Sequence, residues 1–204
     1  MHIRAPAILC AARPHGETAV IARLLTAEHG LVAGYVAGGR GRQLRPVVIP
    51  GNRVEAEIRA KSDSQLPFAR LELIESRGPW LNEPLPAAAI HWATALTATA
   101  LPERHAYPAL FEALSALLDA ICHAPSARGW AGAMAAYEAL VLRELGYGGA
   151  DRFGGRPKGD TLAESLAALD ALSGPLERYL LADRRGDVMA ARALLRDRLG
   201  RMEQ

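Results

Sequence analysis

The sequence predicts an α+β protein, with a five-stranded β-barrel at the front and an all-α domain behind it. Two features point to this class. Short apolar stretches, one of them with a strict period of two, fill residues 1–75, whereas apolar residues further along recur every three or four positions. Between these regions, Gly78 and Pro79 are followed by Pro84 and Pro86, which make a stiff junction. We therefore expect a barrel domain at residues 1–78 and a helical domain at residues 79–204.

The barrel prediction depends on five short strands. Residues 54–61 alternate strictly, so that Val54, Ala56, Ile58 and Ala60 would face a core while the charged residues between them face water. Similar stretches lie at residues 3–11, 19–25, 31–36 and 68–74, with glycines between or beside them. Strands this short, with no helix among them, suit a small closed barrel such as an OB-fold. An SH3-like barrel satisfies the same pattern.

The helical domain is predicted from apolar stripes. Residues 87–101 form a first helix that is rich in Ala and Thr. Four later helices carry apolar residues at helical spacing. Their stripes are Leu110, Phe111, Leu114, Leu117, Leu118 and Ile121; Met134, Tyr137, Val141 and Leu145; Leu162, Leu166, Leu169, Leu176 and Leu180; and Val188, Ala191, Leu195, Leu199 and Met202.

The sequence offers little that could carry catalysis. Cys10 and Cys122 match no metal-binding spacing and are interpreted as free thiols. The six histidines form no metal-binding pair, and no nucleophile motif occurs. Residues 154–161 resemble a phosphate loop, but Lys158 is followed by Gly159 rather than Ser or Thr, so a plain glycine-rich loop is predicted. We therefore expect no enzymatic activity, no metal and no cofactor.

The sequence also shows no pattern typical of a membrane helix or a signal peptide. The sequence contains no run of about 18 apolar residues, so it predicts no membrane helix. The first residues lack the basic and then apolar blocks of a signal peptide. These observations predict a cytoplasmic protein without a membrane partner.

Positive charge is concentrated in the front domain. Residues 1–78 hold eleven basic and seven acidic residues, whereas the remainder holds thirteen basic and fifteen acidic ones. The run 38–53 contains no acidic residue and four arginines, namely Arg40, Arg42, Arg45 and Arg53. Its glycines leave the backbone bare, which should keep these arginines mobile, and an arginine fork suits phosphate. Arg13 and Arg23 extend the candidate DNA-binding set; the alternative is a solvated loop that is basic by chance.

Aromatic residues are scarce in the same region. Only Tyr35 and Phe68 are available for base stacking. Binding is therefore expected to depend on the phosphate backbone and to be indifferent to sequence.

Several motifs, in order, resemble the RecO family of bacterial recombination mediators. In the front domain these are Arg13, Gly16-Glu17, 24–26, His29-Gly30 and Gly39-Arg40, followed by the run 50–56. In the helical domain they are Tyr137-Glu138 and the run 144–148. The resemblance covers nearly the whole chain.

The resemblance implies a function as well as a fold. It implies an OB-fold followed by a helical domain, with binding of single- and double-stranded DNA and annealing of complementary strands. It implies a nucleoid-associated protein of the RecF pathway of DNA repair. The implied partners are RecR and the acidic tail of the single-stranded DNA-binding protein, so that recombinase is loaded where that protein covers DNA.

Two departures from the family pattern matter. Many members carry a four-cysteine zinc module after the segment that ends here at Gly148, but residues 150–155 contain no cysteine, so the module is expected to be absent. Leu140 stands where the family often has a basic residue, which puts tail binding in doubt. We expect the tail on the stripe Met134, Tyr137 and Val141, with Arg143 as the cation; the alternative is that this stripe is core.

Two further hypotheses from other classes remain. The chain is alternatively a non-enzymatic scaffold whose barrel binds RNA or protein. A hydrolase or transferase has almost no support among the residues.

Overall fold

The computed structural model describes residues 1–60, 62, 65–147, 161–182 and 188–202. Lys61, which the alternation placed in a strand, and the glycine-rich loop predicted within 154–161 (apart from Thr161) lie outside these ranges. Residues 150–155, where the zinc module was expected to be absent, lie outside them as well. The chain divides into two compact units. The barrel unit comprises Met1–Asn82 and Leu101–Phe111, and the helical unit comprises Glu83–Ala100 and Glu112–Gln204.

Five strands form a closed barrel. They are β1 (His2–His15), β2 (Ala19–Thr26), β3 (Gly30–Val36), β4 (Arg53–Arg59) and β5 (Phe68–Glu75). Their order around the barrel is β1-β2-β3-β5-β4, with β3 and β5 parallel and the other pairs antiparallel. This Greek-key closure is that of an OB-fold. The predicted α+β class, with a barrel first and helices after it, is confirmed.

The interior of the barrel follows the predicted alternation. Val54, Ala56 and Ile58 have no accessible surface, while the charged residues between them are partly exposed. Ile3, Leu9, Leu24, Val32 and other small or branched side chains complete this core. Strand β1 extends beyond the predicted 3–11, because it pairs with β4 through its first half and with β2 through its second half. A register shift between Leu9 and Ala11 marks the change.

Barrel closure requires a glycine in β3. A Cβ atom on Gly34 would lie 2.6 Å from the Cβ of Ala69 on β5, closer than two carbon atoms can approach. The parallel contact between these strands is short, with Tyr35 opposite Phe68, and Tyr35 N–H donates to the carbonyl of Pro67 at 2.7 Å. The small residue at 34 therefore lets the two strands meet.

A segment between the first two helices joins the barrel. Arg104 N–H donates to the carbonyl of Leu31 at 2.9 Å, and Glu103 forms an ion pair with Arg23 on β2 at 3.2 Å. Gly30, at the start of β3, has a φ of +67° and lies directly under the backbone of His105. A side chain at position 30 has no space, so this glycine allows the close approach.

The helices are α1 (Pro84–Ala100), α2 (Pro108–His123), α3 (Ala131–Glu144), α4 (Leu162–Leu176) and α5 (Val188–Gly200). Thr161 caps α4: it accepts from Glu164 N–H, and Glu164 in turn accepts from the Thr161 backbone N–H. The predicted stripe continued to Leu180, but α4 gives way after Pro175 to one wider π turn, Glu177–Leu181. Within the described residues, no helix is long and apolar enough to cross a bilayer.

A buried ion pair lies in the core of the helical unit. The Glu138 carboxylate of α3 accepts from Arg192 Nε at 2.9 Å and Nη2 at 2.7 Å, and from Trp92 Nε1 at 2.8 Å. Glu138 and Trp92 have no accessible surface, and Arg192 is 5% exposed. Burial raises the pKa of the Glu138 carboxyl, against the bonds from Arg192 and Trp92. This cluster connects α1, α3 and α5.

Candidate nucleic-acid interface

The basic loop, residues 38–52, links β3 to β4 and is held by its own turns. Gly41 N–H donates to Gly38 at 2.8 Å, and Arg45 N–H donates to Gly41 at 2.9 Å. Three apolar side chains of the loop pack against the barrel core, namely Leu44, Val47 and Val48. The packing of these partly buried residues fixes the path of the loop, while its three arginines remain exposed to water.

Asn52 ties the end of the basic loop to the barrel. Its side-chain amide donates to the carbonyls of Pro46 and Val47 at 2.9 and 3.0 Å, and its Oδ1 accepts from Arg77 N–H at 2.8 Å. The residue has no accessible surface. The amide nitrogen of Asn52 donates and its amide oxygen accepts, so both polar ends of this buried side chain are satisfied. Asn52 therefore stabilises both the loop and the segment that follows β5.

The three arginines of the loop are exposed, but they are not equally free. Arg40 Nη1 donates to the carbonyls of Gly16 and Glu17 at 3.3 and 3.0 Å. Its backbone N–H also bonds to Thr18, so Arg40 is held against the β1–β2 turn rather than mobile as expected. Arg42 and Arg45 are exposed, and in the described part of the chain no acidic side chain pairs with either.

The other three predicted arginines lie on different parts of the barrel. Arg13 is exposed on β1. Arg23 is only 26% exposed in its side chain and is engaged by Glu103. Arg53 is half-buried at the start of β4. Arg40 thus lies at the turn between β1 and β2, and β1 is the strand that carries Arg13. The charge of Arg23 is partly neutralised by Glu103.

One face of the barrel carries charges of both signs and is named the mixed-charge face. Arg4, Glu55, Glu57, Arg70 and Glu72 line a shallow depression on β1, β4 and β5. Arg4 Nε donates to Glu55 at 3.2 Å. The bonds that Arg59 and His2 donate to the partly exposed Glu57 lower the pKa of its carboxyl. Because its three carboxylates outnumber its two arginines, this face is a poor candidate for a polyanion.

A second set of outward residues forms a row that the sequence alone did not reveal. Arg13 is opposite Ile21, Ile21 is opposite Tyr35, Tyr35 is opposite Phe68, and Phe68 is opposite Arg59. Cross-strand partners point to the same side of a sheet. The row therefore places two aromatic residues side by side on the outside of the barrel, with an arginine at each end.

His15 adds a third ring to this row. The His15 and Tyr35 ring centroids are 5.8 Å apart at 87°, and the Tyr35 and Phe68 centroids are 5.4 Å apart at 75°. Both pairs are edge-to-face. We name His15, Tyr35 and Phe68 the aromatic ledge. The period of two could have shown that Phe68 points outward, but only strand register shows what lies beside it.

The residues expected to hold a partner peptide occupy two environments. Met134, Tyr137 and Val141 are at most 2% exposed and belong to the core of the helical unit. The Tyr137 hydroxyl lies 2.6 Å from Thr97 Oγ1. Arg143 is 65% exposed in its side chain and forms an ion pair with Glu144 at 3.4 Å. Three members of the set therefore pack inward, while the fourth faces water.

An open groove of about 400 Å³ lies between α2 and α3. Its floor consists of small and apolar residues, and Arg128 stands at its edge. The lining includes Leu117, Gly132, Ala133, Ala136 and Leu140, together with part of Tyr137. This arrangement has an apolar surface beside a cation, which sequence reasoning did not identify because its small residues follow no apolar stripe.

No cluster of His, Cys, Asp or Glu that could hold a metal ion occurs within the described ranges. Cys10 and Cys122 are both buried, and neither forms a disulfide. Burial raises the pKa of the Cys10 thiol to about 12, so this group is a poor nucleophile.

Comparison with known proteins gives matches along both units. Residues 1–77 match the family model "Recombination protein O N terminal", and residues 83–149 match "Recombination protein O C terminal". A "DNA repair protein RecO" of Rhodospirillum centenum is 46% identical over 143 residues, which are 70% of this chain and 56% of the relative. That of Phenylobacterium zucineum is 40% identical over 149 residues, 72% of this chain and 60% of the relative. That of Caulobacter vibrioides is 41% identical over 143 residues, 70% of this chain and 58% of the relative. The matched part of the chain thus spans less than two thirds of each relative's length.

Proposed function

Because this chain belongs to the RecO family, we propose that it is a non-enzymatic mediator of DNA repair and recombination. It binds single- and double-stranded DNA through its barrel, anneals complementary strands and helps to load recombinase on DNA covered by single-stranded DNA-binding protein. The observation that carries this proposal is the exposed, acid-free basic loop. Two further expectations rest on the family alone: RecR is a partner, and the protein is located in the cytoplasm at the nucleoid.

The loop's geometry supports phosphate binding. Arg42 and Arg45 project from a backbone that Asn52 and the buried loop residues hold in place. A held backbone lowers the entropic cost of engaging a strand with these arginines. Interactions with phosphate carry no sequence information, so this binding should be nearly independent of sequence. It should weaken steeply as salt increases.

We expect the combined change Arg40→Ala, Arg42→Ala and Arg45→Ala to weaken binding to any DNA sequence about equally. Each arginine–phosphate interaction that the change removes should reduce the slope of log affinity against log salt by about 0.7 for single strands and about 0.9 for duplex. Arg42 and Arg45 should account for most of the change, since Arg40 also serves the β1–β2 turn. Fluorescence anisotropy over a salt series measures both quantities.

The matched control removes charge from the mixed-charge face. The change Arg4→Ala with Arg70→Ala takes two positive charges from the same barrel, as does Arg42→Ala with Arg45→Ala. Only the loop pair should lower the affinity and the salt slope. Equal losses in the two folded variants would mean that net charge, not the loop, controls binding. Direct competition between DNA and RNA of the same length separates this function from an RNA-binding scaffold.

The helical unit is proposed to dock the acidic tail of the single-stranded DNA-binding protein. Such a tail needs an apolar surface for its terminal ring and a cation for its carboxylates. Arg143 supplies an exposed cation, but Met134, Tyr137 and Val141 present almost no surface. The groove between α2 and α3 provides both parts, with Arg128 exposed at its edge. We therefore place the peptide in this groove and keep Arg143 as the alternative anchor.

Charge reversal separates the two anchors. We expect Arg128→Glu to weaken binding of a labelled acidic tail peptide by about 1–3 kcal/mol while DNA binding remains unchanged. Arg143→Glu should have a smaller effect, because Arg143 does not line the groove. Both substitutions should change stability by about 0.5 kcal/mol or less. A loss with Arg143→Glu alone would move the site to the end of α3, and no binding by the unaltered protein would indicate that Leu140 has removed the interaction.

A further inference from the structure

We propose that the aromatic ledge binds the unpaired bases of single-stranded DNA and gives the barrel a preference for single strands over duplex. This inference rests on the proposed function, since it assumes that the barrel meets DNA. It goes further in assigning base contacts to His15, Tyr35 and Phe68. The sequence had offered only Tyr35 and Phe68 for base stacking, and it predicted binding that depends mainly on the phosphate backbone.

The exposure of Phe68 is the first support. Its residue surface is 65% exposed, the largest value among the big apolar side chains in the described part of the chain. A phenylalanine so exposed has at least one ring face in water, although aromatic burial is strongly favourable. Tyr35 is half-buried beside it and fixes its position from one side. Phe68 is thus a supported ring with a free face.

The angles between the rings favour unpaired bases over a duplex. Neighbouring rings of the ledge stand at 75° and 87° to one another, with centroids 5.4 and 5.8 Å apart. Bases in a duplex stay parallel at about 3.4 Å per step. They cannot lie on such rings without leaving the stack. Unpaired bases turn freely, and each can stack on an aromatic face whatever its identity.

Charge around the ledge suits a strand that passes over it. Arg13 and Arg59 occupy the two ends of the row, and Arg40 is held at the β1–β2 turn beside His15. In the described residues no acidic side chain pairs with Arg13. Arg59 is 67% exposed in its side chain and donates to Glu57. Phosphates on one side of a stacked base would therefore meet Arg13 and Arg40, while Arg59 on the other side is partly neutralised by Glu57.

The surface next to Phe68 offers room for a base. An open groove is lined by Phe68 with Leu66, Ala60 and Gln65, and by Arg59 at its rim. Leu66 is 41% exposed. The groove combines apolar walls with an amide that can donate and accept hydrogen bonds. A base on the free face of Phe68 would bury apolar surface that is otherwise in water.

The test compares three probes with the full chain. The probes are an oligothymidine of about 15 nucleotides, an abasic oligonucleotide of the same length and charge, and a blunt duplex. We expect Phe68→Ala to weaken binding of oligothymidine about 5- to 100-fold. Binding of the abasic strand and of the duplex should change less than about twofold, because neither offers an unpaired base. The salt slope should stay constant, since no phosphate interaction is removed.

Two further variants make the outcome decisive. Ile74→Ala removes a 52% exposed apolar side chain from the same strand but outside the ledge, and it should leave all three affinities unchanged. Phe68→Trp keeps an aromatic face and should restore oligothymidine binding. An equal loss on all three probes, or none on oligothymidine, would overturn the ledge while the proposed function stands. If the unaltered protein bound none of the probes, the proposed function would fail instead.

Discussion

Replacing Arg192 with methionine is expected to lower the free energy of unfolding by about 3–5 kcal/mol. The substitution removes the cation that donates twice to the buried Glu138 carboxylate and leaves that carboxylate with Trp92 alone. A charge without a partner in such a site costs more than the ion pair contributes. Urea unfolding followed by far-ultraviolet circular dichroism measures the difference.

The same variant should show a characteristic pH dependence. Burial already raises the pKa of the Glu138 carboxyl, and removal of Arg192 removes the main influence that lowers it. The folded pKa of the variant then lies well above that of the unfolded chain, so the folded state takes up a proton more readily. Its stability is greatest below the unfolded pKa and falls as pH increases through the folded one. The deficit should therefore be smaller at about pH 5 than at about pH 8.

Two controls identify the buried pair as the cause. Arg196→Met breaks a more exposed ion pair with Asp170 on the neighbouring helix and should cost about 1 kcal/mol or less. The double change Glu138→Leu with Arg192→Met removes both charges and should be less damaging than Arg192→Met alone. If the double variant instead showed the sum of the two single effects, the pair would not be coupled.

Replacing Gly30 with alanine is the second change with a large expected effect. The φ of +67° costs a side chain about 1–2 kcal/mol. In addition, the new Cβ would overlap the carbonyl oxygen of His105. Either β3 or the segment 101–107 must move, which endangers the Arg104–Leu31 bond and the Arg23–Glu103 ion pair. We expect a total loss of about 2–5 kcal/mol in barrel stability.

Gly16 provides a matched control for this change. It has a φ of +60°, but a Cβ atom built on it meets nothing within 4 Å. Gly16→Ala therefore carries the backbone cost alone, about 1–2 kcal/mol. The difference between the two variants in thermal or urea unfolding isolates the close approach of His105. Equal losses of stability in the two variants would show that the segment 101–107 moves aside without lowering the free energy of unfolding further.

Local patterns predicted the elements well. The alternation of Val54, Ala56 and Ile58 depends only on the geometry of a strand with one buried face, and these three residues have no accessible surface. The helical stripes behave in the same way, because their spacing matches one face of an α-helix. The π turn after Pro175 was missed, since a wide turn keeps nearly the same apolar spacing.

The candidate site was predicted only in part. Exposed arginines in an acid-free run can be recognised from sequence, and Arg42 and Arg45 are exposed. The tether on Arg40 could not be recognised, because its partners Gly16 and Glu17 offer backbone carbonyls that carry no sequence signal. The stripe of Met134, Tyr137 and Val141 has the same spacing whether it faces a peptide or a core. Packing of the neighbouring helices makes it core.

The sequence by itself determined which segments are strands and helices, where positive charge is concentrated, and the family to which the chain belongs. These properties depend on neighbours along the chain. Tertiary structure alone decided which distant residues meet: Tyr35 beside Phe68, Glu138 with Arg192, and Gly30 beneath His105. Such pairs depend on strand register and helix packing, and both are set by the total burial of many side chains rather than by any local pattern.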